Sequence, residues 1–213
     1  MGMDGQNMQV TQIVELSRSR SKVYIDQEFA FVLYKGELRL YHVREGEALS
    51  EEDYHTIMQE LLPKRAKLRA MNLLKSREYT TAQLRTKLKQ GFYPESVIEE
   101  ALGYVESFHY TDDLRYAFDF ITYNENKKSR KRIELDLQNK GIGGDIIEQA
   151  WKQWQDMGGV QDEQAMIAQL LEKKSYNPAQ ADYREQQKIF AYLMRKGFSG
   201  EQVRKAMDTR DWD

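Results

Sequence analysis

The sequence predicts a mainly α-helical chain: a small antiparallel β-sheet, then three tandem three-helix repeats in an elongated, curved array. Three observations predict it. One apolar spacing occurs three times, at Leu84, Leu88, Val97, Ile98 and Ala101, at Ile133, Leu137, Ile146, Ile147 and Ala150, and at Ile189, Leu193, Val203 and Ala206, where Gln202 breaks the pattern at one place. The interval from leucine to alanine is thirteen residues in every copy, the mark of a repeat architecture. Between Val10 and Val43 the period is two instead, and the residues are β-branched and aromatic, as half-buried strands require.

Taken in order, Val23-Tyr24-Ile25, Phe29-Ala30-Phe31-Val32-Leu33 and Leu38-Arg39-Leu40-Tyr41 read as short strands. Asp26-Gln27-Glu28 and Lys35-Gly36-Glu37 read as their turns, because Asp bonds its own backbone and Gly accepts a positive φ. Tyr24, Phe29 and Phe31 are assigned to the sheet's buried side. Ser50 before Glu51, Glu52 and Asp53 is an N-cap with acids in the first turn, and Leu49 with Tyr54 is spaced as a hydrophobic staple. In each repeat, residues four apart share a helix face. The first helices lie around Leu68 to Leu74, Leu114 to Ile121 and Ala165 to Leu171. Gly91, Gly141 and Gly197 separate the second helix from the third, each expected to supply the left-handed residue past a helix end. Thr80 with Gln83 and Ser199 with Gln202 have capping-box spacing, Pro94 suits a first helical position, and Asn177-Pro178 reads as a cap and first turn. The expected organisation is a sheet region over 1–50 and repeats over 51–109, 110–158 and 159–213. Units this small need support from their neighbours.

Composition narrows the function classes. The 213 residues include no cysteine and three scattered histidines, His42, His55 and His109, so disulfides, thiolate zinc sites and a local histidine metal motif are not expected. No apolar run approaches the roughly 20 residues that span a bilayer, and the polar start has no signal-peptide pattern; a cytoplasmic protein is expected. Charged residues make up 31% of the chain, with a mean hydropathy of −0.78, which suits small helical units with wet outer faces. The net charge of −2 hides strong segregation. Residues 63–93 carry nine lysines and arginines against one acid, and residues 94–126 carry one against eight. Such stripes fit a partner with acidic and basic features, and equally fit solvated helix faces that drift in sign.

Thr111-Asp112-Asp113-Leu114-Arg115-Tyr116-Ala117, then a basic stretch, Ile133, Leu137 and Lys140-Gly141-Ile142, resembles the central repeat of the RecX family. Gln83-Leu84 followed by Lys87-Leu88 adds to the likeness in the first repeat, and Val23-Tyr24-Ile25-Asp26 with Phe29-Ala30-Phe31 is similar to the extra N-terminal part of some members. Two departures stand out: Gln27 where a glycine is expected, and the extended connection from Ser175 to Asp182. The resemblance implies a non-enzymatic regulator; a monomer without a cofactor is expected. It would bind RecA filaments on DNA, lie in their groove and reduce ATP hydrolysis, strand exchange and co-protease activity, and single- or double-stranded DNA is a further partner it allows.

The candidate partner- or DNA-binding residues are Lys64, Arg65, Lys67, Arg69, Lys75, Arg77, Arg85, Lys87 and Lys89, with a second cluster at Lys127, Lys128, Arg130, Lys131 and Arg132. Lysine and arginine neutralise phosphates or meet acidic protein surface; the competing reading is a solvated face. Asp112 and Asp113 read as helix-capping acids rather than metal ligands, with Arg115 a partner for one of them. Gly141-Ile142-Gly143-Gly144 lacks the flanking strand and Lys-Ser/Thr of a phosphate loop. Trp151 and Trp154 suit a core position or base stacking. Tyr104, Phe108, Tyr110, Tyr116, Phe118, Phe120 and Tyr123 read as packing between the first and second repeats. No catalytic motif is recognisable, so an enzyme is not expected. The alternative is a helical DNA-binding module that acts without RecA.

Overall fold

The computed structural model describes residues 8–207; the polar start at 1–7 and the end of the third repeat at 208–213 lie outside them. The chain divides into two compact units, Met1–Thr111 and Asp112–Asp213. The first holds a four-stranded antiparallel sheet of order β3-β2-β1-β4, made of β1 (Met8–Ser17), β2 (Arg20–Ile25), β3 (Glu28–Tyr34) and β4 (Ala48–Leu49). Asp26 at φ 50° and Gln27 at φ 72° close the β2–β3 hairpin, the two left-handed residues of the hairpin turn that matches strand twist. Two contacts hold Gln27 where glycine would sit more easily. Its N–H donates to Thr11 Oγ1 at 2.9 Å, and Asp26 Oδ1 accepts from the Gln9 N–H at 3.2 Å.

Two readings of this region need correction. Phe29 is 42% exposed whereas Phe31 is fully buried. The register slips between Val23–Phe31 and Tyr24–Phe29, and this bulge at Ala30 reverses the alternation of faces. The stretch read as a turn and a third strand is a short helix, α1 (Lys35–Leu40). Its Glu37 carboxylate accepts from the Tyr34 N–H at 2.7 Å and from Arg65, which fixes the helix start. Leu38 and Tyr41, three apart, then pack on the core while Leu40 stays exposed.

Ser50 caps α2 (Glu51–Thr56) by accepting from the Asp53 N–H. A π-helical turn, Ile57–Leu61, joins α2 to α3 (Leu62–Ser76). Its wider ladder runs from the Leu62 N–H to the Ile57 carbonyl and lets the chain pass Pro63, whose ring crowds an ordinary helical turn and has no N–H to give. With α4 (Thr81–Gln90) and α5 (Glu95–Ser107) this completes the first three-helix repeat. Val10, Val23, Phe31 and Leu33 of the sheet share one core with Ile57, Leu62, Leu84, Leu88 and Ile98. The sheet therefore has the packing support that so few strands need.

The second unit holds two repeats: α6 (Asp113–Asn124), α7 (Arg130–Asn139) and α8 (Gly144–Asp156), then α9 (Glu163–Lys173), α10 (Tyr183–Arg195) and α11 (Gly200–Met207). Each has its own core, one around Ile121, Ile133, Leu137, Ala150 and both tryptophans, the other around Ile167, Leu193, Phe198 and Val203. Leu88, Leu137 and Leu193 are all fully buried, as are Ala101 and Ala150. Both capping boxes form, Thr80 with Gln83 and Ser199 with Gln202; the residue that broke the apolar pattern, Gln202, accepts from the Ser199 N–H and so completes the second box. Asn177-Pro178 does not begin a helix. Asn177 bonds the Ala179 N–H within a turn, and Asp182 caps α10 instead.

The inter-helix turns also differ from expectation. Gly141 and Gly197 have φ 83° and 93°, but Gly91 is helical at φ −80° and Phe92 takes the left-handed place at φ 62°. Phe92, Gly141 and Gly197 all stand four residues past the matched leucine, so Gly91 is one residue early. It is small for another reason: a Cβ there would lie 2.9 Å from the Tyr93 ring and 3.0 Å from the Leu88 carbonyl oxygen.

Candidate partner interface

The basic cluster of the first repeat is built on α3 and α4, and its stripe folds against the acids that follow it in sequence. Arg85 pairs with Glu95 at 2.7 Å and with Glu99, Lys89 with Glu95 at 3.1 Å, and Lys67 with Glu100 at 2.7 Å. The hydrogen bond to Arg85 holds the Glu99 carboxyl below its ordinary range, and Glu99 raises the Arg85 guanidinium further. Arg65 grips both oxygens of Glu37, at 2.9 and 3.2 Å, and donates to the Val32 carbonyl at 2.6 Å. Its guanidinium also lies 5.0 Å from the Tyr34 ring and 5.8 Å from that of Tyr93. Burial raises the Tyr93 phenol above its ordinary range, against the opposing pull of Arg65.

These pairs leave a smaller outward-facing set. Among the described residues Lys64, Arg69 and Lys75 make no ion pair, Arg77 lies over Tyr79 at 4.4 Å, and Lys87 reaches only Gln90 at 3.5 Å. Lys64, Leu68 and Lys75, spaced four and seven apart, share one face of α3, and Leu68 is 53% exposed. That face is basic with an apolar centre.

The second cluster divides the same way. Lys128 and Arg132 both pair with Asp136, at 2.9 and 3.0 Å, and Arg130 pairs with Glu134 at 2.7 Å. Arg130 also covers the buried Trp151 at 4.9 Å. Lys131 makes no ion pair among the described residues, and Lys127 sits 3.1 Å from the centre of the exposed Tyr123 ring. The aromatic run resolves into Tyr104–Phe108–Tyr110 in the first unit and a stacked Tyr116–Phe120 pair in the second.

The N-terminus of α7, which carries the second cluster, is closed by the third repeat. The Ser129 N–H donates to the Lys196 carbonyl at 3.2 Å and the Arg130 N–H to Glu163 at 2.8 Å. Gly197 approaches so closely that a Cβ would collide with Ser129 Oγ and Arg132 Cβ. Gln161 bonds the carbonyls of Glu125 and Lys128, and Gln202 bonds Glu163. The seam between the two cores is thus polar and hydrogen-bonded.

Asp112 caps α6, accepting from the Arg115 N–H at 2.9 Å; the Arg115 guanidinium makes no ion pair among the described residues. Among those residues no group of three or more potential metal ligands is gathered, and no helix is long and apolar enough to cross a membrane. Trp151 and Trp154 are both buried. Sequence reasoning passed over one more basic stripe, Arg184, Lys188 and Arg195 on α10. The signal was the four- and seven-residue spacing, hidden by a net charge diluted with nearby acids.

Three helical modules, each turning tightly between its second and third helices, with unpaired basic residues on the first two, define a helical repeat protein. Comparison with known proteins makes the class specific. Family models described as the first, second and third three-helix domains of RecX match residues 66–104, 112–150 and 161–207. The regulatory protein RecX of Caldanaerobacter subterraneus is 30% identical over 94% of this chain and 99% of its own, and that of Clostridioides difficile is 25% identical over 93% and 94%. A crystal structure of regulatory protein RecX superposes with a TM-score of 0.58 at 24% identity, covering 94% of this chain and 99% of that one. RecX from Lactobacillus salivarius gives 0.55 at 25% identity, over 71% and 98%. The chain belongs to the RecX family of regulatory proteins.

Proposed function

We propose that this protein binds the RecA nucleoprotein filament and restrains it, lowering ATP hydrolysis, strand exchange and co-protease activity. The observation that carries the reading is the succession of three RecX-type repeats in a chain that aligns with 99% of the length of a RecX relative. Linked modules of modest individual affinity gain avidity on a target that itself repeats. Restraint then acts as a population shift: the bound protein favours a filament state that hydrolyses ATP slowly.

The two basic clusters supply the contacts. Within them the reading places most weight on Lys64, Arg69, Lys75, Lys127 and Lys131, since Arg65, Lys67, Arg85 and Lys89 already satisfy carboxylates of their own chain. Exposed cations of this kind govern encounter rate and salt dependence more than final affinity. The test is to titrate the protein into RecA hydrolysing ATP on single-stranded DNA. Hydrolysis falls with rising protein below equimolar ratio if the proposal holds; an unchanged rate up to and beyond equimolar protein rejects it.

A further inference from the structure

The third repeat carries a charged groove of about 710 Å³, lined by Lys174, Asp182, Arg184, Glu185, Lys188, Ile189, Tyr192 and Arg195. Four cations face two carboxylates. One of those carboxylates is committed, because Asp182 Oδ1 accepts from the Glu185 N–H at 2.7 Å as the cap of α10. The four cations are not: none of Lys174, Arg184, Lys188 and Arg195 makes an ion pair among the described residues. Half of the fourteen basic residues singled out in the first two repeats are paired with carboxylates of the chain, whereas none of these four is.

Its layout is linear. Arg184, Lys188, Tyr192 and Arg195 follow one another at intervals of four, four and three on α10, which sets them on one face over a rise of roughly 16 Å. The Lys174 ammonium, from the end of α9, is held 5.1 Å from the centre of the Tyr192 ring, and Lys196 stands 5.8 Å from it. Ring contacts of this kind localise an ammonium without cancelling its charge. A row of cations that outnumber the groove's carboxylates and pair with none of them suits a linear polyanion whose charges recur every few ångströms, and a phosphodiester backbone has that geometry. A compact anion would engage one or two of the four and leave the others repelling one another.

We infer that the α10 groove of the third repeat is a binding site for the phosphodiester backbone of a nucleic acid, used by the protein alone. The inference does not rest on RecA binding, and its test contains no RecA. Fluorescence anisotropy is measured with the full chain and a labelled 20-nucleotide single strand from 50 to 200 mM salt, comparing the natural sequence with Arg184→Ala/Lys188→Ala. Each phosphate contact adds about 0.7 to the log–log salt slope for single strands, so losing two lowers the slope by about 1.4. The affinity gap between the two proteins then narrows by about sevenfold across that fourfold salt range. Lys188→Gln/Arg195→Gln, at positions equally outside the core, gives the same slope change and guards against a misfolded first variant. Equal affinities and slopes for natural and substituted proteins overturn the inference. So does competition by polyglutamate as effective, per charge, as unlabelled DNA, which would assign the groove to acidic protein surface.

Discussion

Gly197→Ala tests whether the third repeat is locked onto the second through one close approach. The substitution forces a side chain into the left-handed region at φ 93°, which costs roughly 1–2 kcal/mol. The added Cβ also meets Ser129 Oγ and lies 2.5 Å from Arg132 Cβ; overpacking of that kind costs roughly 1–3 kcal/mol more. Gly158→Ala is the matched control, with φ 88° but nothing within 4 Å of the new Cβ, so it bears only the backbone penalty of roughly 1–2 kcal/mol. Hydrogen exchange resolved to residues 127–133 reads the difference where it arises. The Ser129 and Arg130 amides, whose acceptors are Lys196 and Glu163, lose protection in Gly197→Ala and keep it in Gly158→Ala. Equal exchange at these amides in the two variants, with equal loss of stability, would refute the close-contact account of the seam.

Phe92 sets strain against contact: its left-handed backbone is held while its ring meets Phe29 at 6.3 Å and the Lys22 ammonium at 4.4 Å. Both Phe92→Ala and Phe92→Gly lose the ring, but only glycine relieves the backbone, so denaturant unfolding should find Phe92→Gly the more stable by about 1 kcal/mol; alanine equal or better contradicts this. Arg65→Lys keeps the charge but cannot span both Glu37 oxygens and the Val32 carbonyl, and loss of such charge-assisted bonds costs roughly 1.5–3 kcal/mol in urea unfolding of the first unit. A change within error would show the grip to be dispensable. The pH dependence has a definite sign at Tyr93. Its folded pKa is raised, so its contribution is fully present below the unfolded value of about 10 and is lost as pH rises through the folded one. Between pH 9 and 11.5 the natural protein should lose thermal stability more steeply than Tyr93→Phe, and parallel curves would contradict the buried-phenol assignment.

Much of the repeat architecture was legible because leucines four apart and the thirteen-residue interval follow directly from helix geometry and burial. The failures share a cause in contacts distant along the chain. Residues 38–41 have a strand's alternation after an apparent turn, yet Arg65, 28 residues beyond Glu37, secures a helix over Lys35–Leu40. Phe29 left the buried face because one bulge reversed the alternation, which no local pattern records. Gly91 resembles the glycines of the other repeats to within one residue, and that residue decides which position bears the positive φ. The basic clusters were visible as charge, but their neutralisation by Glu95, Glu99 and Glu100 was not, because charge counting ignores which helices pack together. The α10 row was missed for the opposite reason: its acids lie nearby in sequence without pairing to it in space.

Amine-reactive cross-linking between this protein and RecA filaments assembled on single-stranded DNA tests the proposed partnership at the residues named for it. The account predicts links to RecA from Lys64 and Lys75 of the first repeat and from Lys131 of the second, lost together when free protein is competed away. No RecA link from any of the three, at protein concentrations that saturate the filament, contradicts it.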